Sequence, residues 1–188
     1  QAAGVLFTAN PLTGLRSETV IDASFGLGEA LVSGLVEPDH YLVDPAAGSI
    51  RAKTLGRKAV SIHGELQGGT RLLEQDRSAL QALPDEQILA LARLAQQVAD
   101  QSGVPQDIEW AWADQQLYLL QSRPITSLFP LPAGLPAEPL KVFFSFGAVQ
   151  GMLDPMTPLG VDALKGIFAS GAGLFGYKKT GQTQTVLY

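Results

Sequence analysis

The feature that most restricts the fold of this chain is a change of period. From Pro84 to Gln101 the apolar residues Ile88, Leu91, Ala92, Ala95, Val98 and Ala99 recur at helical spacing on one face. Pro84-Asp85-Glu86 is a start signal for that helix and Gly103 a stop. Around it the chain runs in short, β-rich segments. Val5-Leu6-Phe7-Thr8-Ala9 and Thr19-Val20-Ile21-Asp22-Ala23 have strand composition. Residues 41–43, 49–53 and 59–62 read as an antiparallel meander, with Asp44-Pro45-Ala46-Ala47-Gly48 turning between the first two. Residues 108–112 and 117–121 bracket the polar turn Ala113-Asp114-Gln115-Gln116 as a hairpin. Strands joined by short turns pair antiparallel. The expected class is therefore α+β, a mostly antiparallel sheet with packed helices.

After Arg123-Pro124 the composition shifts. Pro130, Pro132, Pro136 and Pro139 are spaced by Leu, Ala and Gly, a pattern that breaks regular structure and behaves as a semi-rigid linker. The expected organisation is one domain over residues 1–126, a Pro-rich linker over 127–140 with the boundary near Leu128, and the start of a second domain over 141–188. Within that last part, residues 142–146 read as a strand, and a helix opens at Thr157 as N-cap with Pro158 in its first position.

Of the 188 residues 46% are hydrophobic, enough for one modest core or for one core plus a piece of another. A net charge of -5 and a pI near 4.9 argue against a nucleic-acid or anionic-membrane surface. Arg51 to Lys58 is the one locally basic stretch and reads as a solvated hairpin. The absence of cysteine excludes disulfides and thiolate chemistry and fits a cytoplasmic protein. His40 and His63 are too few and too far apart for a zinc site, and each is expected on a strand as an ordinary polar residue. No segment has the length of uninterrupted apolar residues that crosses a membrane, and the first residues have no signal-peptide pattern. They read like a chain cut open.

Chemistry concentrates in Asp107-Ile108-Glu109-Trp110 and Leu120-Gln121-Ser122-Arg123-Pro124. In a hairpin with a short turn Glu109 and Gln121 can share a face, and Arg123, two residues on, shares it too. A carboxylate and an amide oxygen aimed at one point suit a hard cation such as Mg, and a neighbouring guanidinium suits phosphate oxygens. The plain alternative is a surface hairpin with a cross-strand ion pair. The turn Gly26-Leu27-Gly28-Glu29 has two readings as well: glycines that permit tight strand-to-helix packing, or amides that meet an anion. It has neither the Lys-Ser/Thr ending of a Walker loop nor the third glycine of a dinucleotide fingerprint. Asn10-Pro11-Leu12-Thr13-Gly14 is either a loop-forming turn or a loop over a ligand. Trp110 and Trp112 are expected to pack in a core or interface.

Residues 4–14, 24–34, 105–111 and 119–126 are similar, in this order, to segments of the phosphoenolpyruvate synthase and pyruvate phosphate dikinase superfamily. The chain resembles the second half of its ATP-grasp nucleotide-binding domain. The resemblance implies that Glu109 and Gln121 bind the metal of Mg-ATP and that Arg123 contacts phosphate as the catalytic arginine. It implies a parent enzyme that phosphorylates one of its own histidines, releases AMP and phosphate, and passes the phosphoryl group to a small-molecule acceptor. The partners implied are ATP and the rest of that chain, namely an N-terminal lobe upstream of Gln1 and a phosphohistidine domain downstream of Tyr188. On this reading the present chain is not active alone; the rival is a non-catalytic binding or regulatory module of the same shape. Residues 144–160 look like the segment after the nucleotide domain in rifampicin phosphotransferase-type members. A generic connector is the other reading, so pyruvate and an antibiotic-like acceptor both remain open.

Overall fold

The structure is a computed structural model and describes residues 1–65, 67–74, 76–128, 157–160, 162–164 and 166–167. It divides into two units, Gln1–Leu128 and Phe129–Tyr188. In the first, β1 (Ala2–Phe7), β2 (Thr19–Phe25), the single-turn α1 (Glu29–Val32), β3 (Asp39–Asp44), β4 (Ser49–Thr54), β5 (Val60–Gly64), β6 (Thr70–Glu74), α2 (Asp85–Ser102), β7 (Gln106–Ala113) and β8 (Gln116–Pro124) follow in order. Six strands form one sheet in the order β4-β3-β2-β1-β7-β8, every neighbouring pair antiparallel, and β5 and β6 form a separate ribbon. The expected α+β class with a mostly antiparallel sheet is what the chain adopts.

Helix α2 begins where Pro84 and the acidic pair Asp85 and Glu86 predict. It ends on Gly103, whose φ of +72° lets its N–H reach the Ala99 carbonyl. Ile88, Leu91, Ala92, Ala95 and Ala99 are buried, and the first four join one core with Ala2, Leu6, Ile21, Ala23, Tyr41, Val43, Ile108 and Trp110 of the sheet. Val98 is half-buried at its margin. Lys53 on β4 bonds Asp85 at 2.5 Å and, with Gln81, holds that carboxyl below its ordinary range. Trp110 sits in the core and Trp112 packs against it. The close approach of strands at Gly4 is obligatory: a Cβ there would stand 1.8 Å from the Asp22 carbonyl oxygen and 2.9 Å from the Trp110 ring.

Two expectations are corrected. Residues 59–62 do not extend the meander, because β5 leaves β4 and pairs with β6, a strand the sequence reading omitted. The reason lies in Asp39 and Lys58, both fully buried: Lys58 turns inward to ion-pair with Asp39 and donates to the Gly56 carbonyl at 2.6 Å, which ties the chain after β4 to the first residue of β3. The same contact overturns the solvated reading of the basic stretch at its C-terminal end. Arg51, by contrast, stays at the surface and bonds Asp44 at 2.5 Å.

In the second unit, residues 158–160, 162–164 and 166–167 are helical, and Thr157 Oγ1 accepts the Gly160 N–H at 3.2 Å as an N-cap does. The strand expected at 142–146 and most of the Pro-rich stretch lie outside the described residues.

Candidate functional site

Because paired residues in a sheet share a face, the registers of four strand pairs define what the face opposite α2 presents. One cross-strand row reads Gln121, Glu109, Val5, Asp22, His40. The next reads Arg123, Asp107, Phe7, Val20, Leu42. The α2-facing side of these strands is buried and apolar; this side is half-open and carries the charge. Its Ala3 end is closed by the glycine turn, where Gly28 would bring a Cβ to 3.7 Å from that of Ala3. Gly26 has a φ of +82°, and a Cβ there would lie 2.3 Å from the Ile62 carbonyl oxygen, so its glycine serves close packing of β2 on β5.

Glu109 and Gln121 stand directly opposite each other. They do so through a β-bulge. From the tight turn outward, Ala113 to Trp110 pair with Gln116 to Leu119 without a break; Leu120 is then left over, and pairing resumes at Glu109 with Gln121. Uninterrupted pairing would have set Glu109 against Leu120 and turned Gln121 to the α2 side, opposite Ile108. The bulge restores the shared face and pushes Leu120 out, 64% exposed. The same shift sets Arg123 opposite Asp107, to which its Nε donates at 2.8 Å. With Nε occupied, the mostly exposed side chain still carries the N–H donors of its two terminal amino groups. Asp107 is a site residue that the sequence signals only through the shared Asp-x-Glu and Gln-x-Arg spacing, which puts all four on one face once the strands pair.

Two hollows flank Phe7. One, of about 220 Å³, is lined by Phe7, Asp107, Arg123, Pro124 and residues 125–127. The other, of about 230 Å³, is lined by Phe7, Val20, Asp22, His40 and residues 10–12. The 10–14 segment is a self-closed turn: Asn10 Oδ1 accepts the N–H groups of Leu12 and Thr13 at 3.0 and 3.1 Å, and its carbonyl accepts that of Gly14. His40 and His63 are both on strands, as expected. His40 does more than that expectation allowed, since its Nδ1 lies 2.7 Å from Asp22 Oδ1. No sequence spacing signalled this pair, because the two residues meet only through the β2–β3 register.

Among the described residues no three His, Asp or Glu side chains gather to hold a metal by themselves. The Glu109 carboxylate and Gln121 amide form a two-oxygen donor set, which fits a cation that completes its shell with waters and phosphate oxygens. An α+β sheet with one face buried under a helix and the other carrying oxygen donors beside a guanidinium has the chemistry to receive an anion or a nucleotide. The chain belongs to the pyruvate phosphate dikinase AMP/ATP-binding domain family, whose model matches residues 1–130. It is 48% identical to a rifampicin phosphotransferase of Bacillus subtilis (strain 168) over 163 residues, 86% of this chain and 18% of that protein. It is 44% identical to a phosphoenolpyruvate synthase of Pyrococcus furiosus over 138 residues, 68% of this chain and 17% of the relative. A prodigiosin synthesizing transferase of Serratia marcescens is 44% identical over 67% of the chain, 14% of that protein. The chain thus spans about a fifth of the length of the curated relatives it matches. The resemblance read from residues 4–126 holds, and the longer match to the rifampicin phosphotransferase reaches past the family model into the tail.

Proposed function

We propose that this chain forms one wall of a Mg-ATP site in a cytoplasmic, dikinase-type phosphotransferase built on an ATP-grasp domain. The parent enzyme phosphorylates a histidine elsewhere in its chain, releases AMP and phosphate, and passes the phosphoryl group to a small-molecule acceptor. The observation that carries the reading is the bulged β7–β8 hairpin, which sets Glu109 against Gln121 and Arg123 against Asp107 on the open face. Glu109 and Gln121 would hold the metal, which when bound neutralises phosphate oxygens and draws them into line. Arg123, oriented by its bond to Asp107, offers its remaining N–H donors to phosphate and stabilises charge that grows on those oxygens during transfer. Phosphoryl transfer needs positioning and charge more than covalent help from the protein, so these four side chains are a sufficient contribution from one wall.

The second unit is proposed as the start of the acceptor-binding domain. An antibiotic-like acceptor is favoured over pyruvate, because the rifampicin phosphotransferase match covers 86% of the chain and the phosphoenolpyruvate synthase match 68%. The test is made in the longer protein that carries this domain. Glu109→Ala or Arg123→Ala is expected to lower ATP-dependent AMP formation by at least about 10²-fold. AMP release near the normal rate from either variant would sink the site assignment, and a parent protein that binds Mg-ATP without forming AMP would favour a non-catalytic module.

A further inference from the structure

The row that carries Gln121 and Glu109 continues across the sheet to Asp22 and His40. An ionised carboxylate only accepts hydrogen bonds, so the His40 nitrogen 2.7 Å from Asp22 Oδ1 is a donor, and the proton sits on Nδ1. In the neutral imidazole so oriented, Nε2 carries the lone pair. The imidazole side chain is 47% exposed and its Asp22 partner 24%, on the hollow beside Phe7. The opposite side of Phe7 is the Arg123 hollow. Around His40, Asp22 faces it from β2 and Thr54 is its register partner on β4. Asn10 lines the same hollow with its amide committed to Glu18 at 2.9 Å, and Glu18 also lies 3.7 Å from Arg51. The hollow therefore holds a carboxylate-oriented imidazole whose outer nitrogen has no partner among the described residues, and Phe7 stands between it and the hollow that Arg123 lines.

The reaction proposed above has a requirement that Glu109, Gln121 and Arg123 do not meet. ATP carries three phosphoryl groups, and its products are AMP, a phosphohistidine and free phosphate. One phosphorus is taken by histidine nitrogen, so another must be taken by water. We propose that His40, oriented by Asp22, is the general base for that water. The water oxygen forms the new bond to phosphorus, and the bridging P–O bond breaks with its electron pair leaving on the departing phosphoryl oxygen. The water proton passes to His40 Nε2, and Asp22 stabilises the imidazolium until it releases the proton to solvent. His40 is the catalytic group in this step, and Asp22 is a positioning residue.

This inference rests on the Mg-ATP reading, and the experiment separates the two. In the longer protein, single-turnover phosphate release, its pH profile and equilibrium Mg-ATP binding are measured for wild type, Glu109→Ala, His40→Gln and Asp22→Asn. General-base catalysis is worth on the order of 10²- to 10⁴-fold, so His40→Gln should slow phosphate release by at least about 10²-fold and abolish the acidic limb of the profile, with Mg-ATP affinity unchanged. Asp22→Asn should slow release by less and keep the fold, since both side chains lie on the open face. Phosphate release within a few-fold of wild type in His40→Gln, with Glu109→Ala inactive, overturns this inference alone. A loss in His40→Gln that follows weakened Mg-ATP binding, with the pH profile unchanged, overturns it too. Normal turnover in Glu109→Ala overturns the Mg-ATP reading instead, and wild-type protein that releases no phosphate from ATP overturns both.

Discussion

Asp39 shows how much one buried carboxylate can organise. It receives Lys58 Nζ, the Tyr41 hydroxyl at 2.9 Å, the Gly56 N–H at 3.0 Å and the Ala82 N–H at 2.7 Å, and so ties β3 to the loops before β5 and before α2. Burial, and then the charge of Asp39, push the Tyr41 phenol above its ordinary range. Removing one member of a buried pair strands the other charge, at a cost of about 3–5 kcal/mol. Lys58→Met should therefore destabilise the chain by that order, read as a lowered urea midpoint, while its apolar stem still fills the space. A loss below about 1 kcal/mol would show that the three neutral donors alone satisfy Asp39. Lys58 also has a φ of +46°, unusual for a side chain with a Cβ, which is consistent with its ion pair holding the backbone there.

At the scale of elements, the β7–β8 hairpin is where the sequence was most informative and also where it misled. Its strands are legible from alternation, but the expected turn, Ala113 to Gln116, is two residues too long. The loop is two residues, Asp114 and Gln115, both at positive φ (50° and 62°), a conformation that suits Asn-Gly better than the residues present. Gln115→Gly is thus expected to stabilise the chain by about 0.5–1 kcal/mol, read as a raised thermal midpoint; a lowered one would contradict the turn geometry. The bulge at Leu120 was not legible. It depends on where the ladder breaks, which no local residue announces; the shared face expected for Glu109 and Gln121 is reached only through it, since unbroken pairing would set Gln121 opposite Ile108. Helix α2 was readable because its cap, period and stop agree. The β5–β6 ribbon was not, since the Asp39–Lys58 contact that diverts the chain joins residues 19 apart. For the same reason Asp22 and His40, 18 apart, carried no signal until β2 and β3 were paired.

Taken whole, the first unit is a sheet with two unlike faces, and every proposed ligand group lies on the open one. A nucleotide resting there meets protein from one side only. Calorimetry of this chain in isolation is expected to give Mg-ATP affinity weaker than about 1 mM, since a ligand left half in solvent keeps little of its contact energy. Micromolar binding would mean that the site is complete within these residues. The strand order carries a further consequence, for assembly. Thr8 and Gln106 bond each other twice, at 2.9 and 2.8 Å, across a separation of 98 residues. Closing so long a loop is entropically slow, whereas β3-β4 and β7-β8 are joined by short turns. The hairpin that sets Glu109 opposite Gln121 is therefore expected to form early and to dock on β1 late, so that this pairing precedes the sealing of the core.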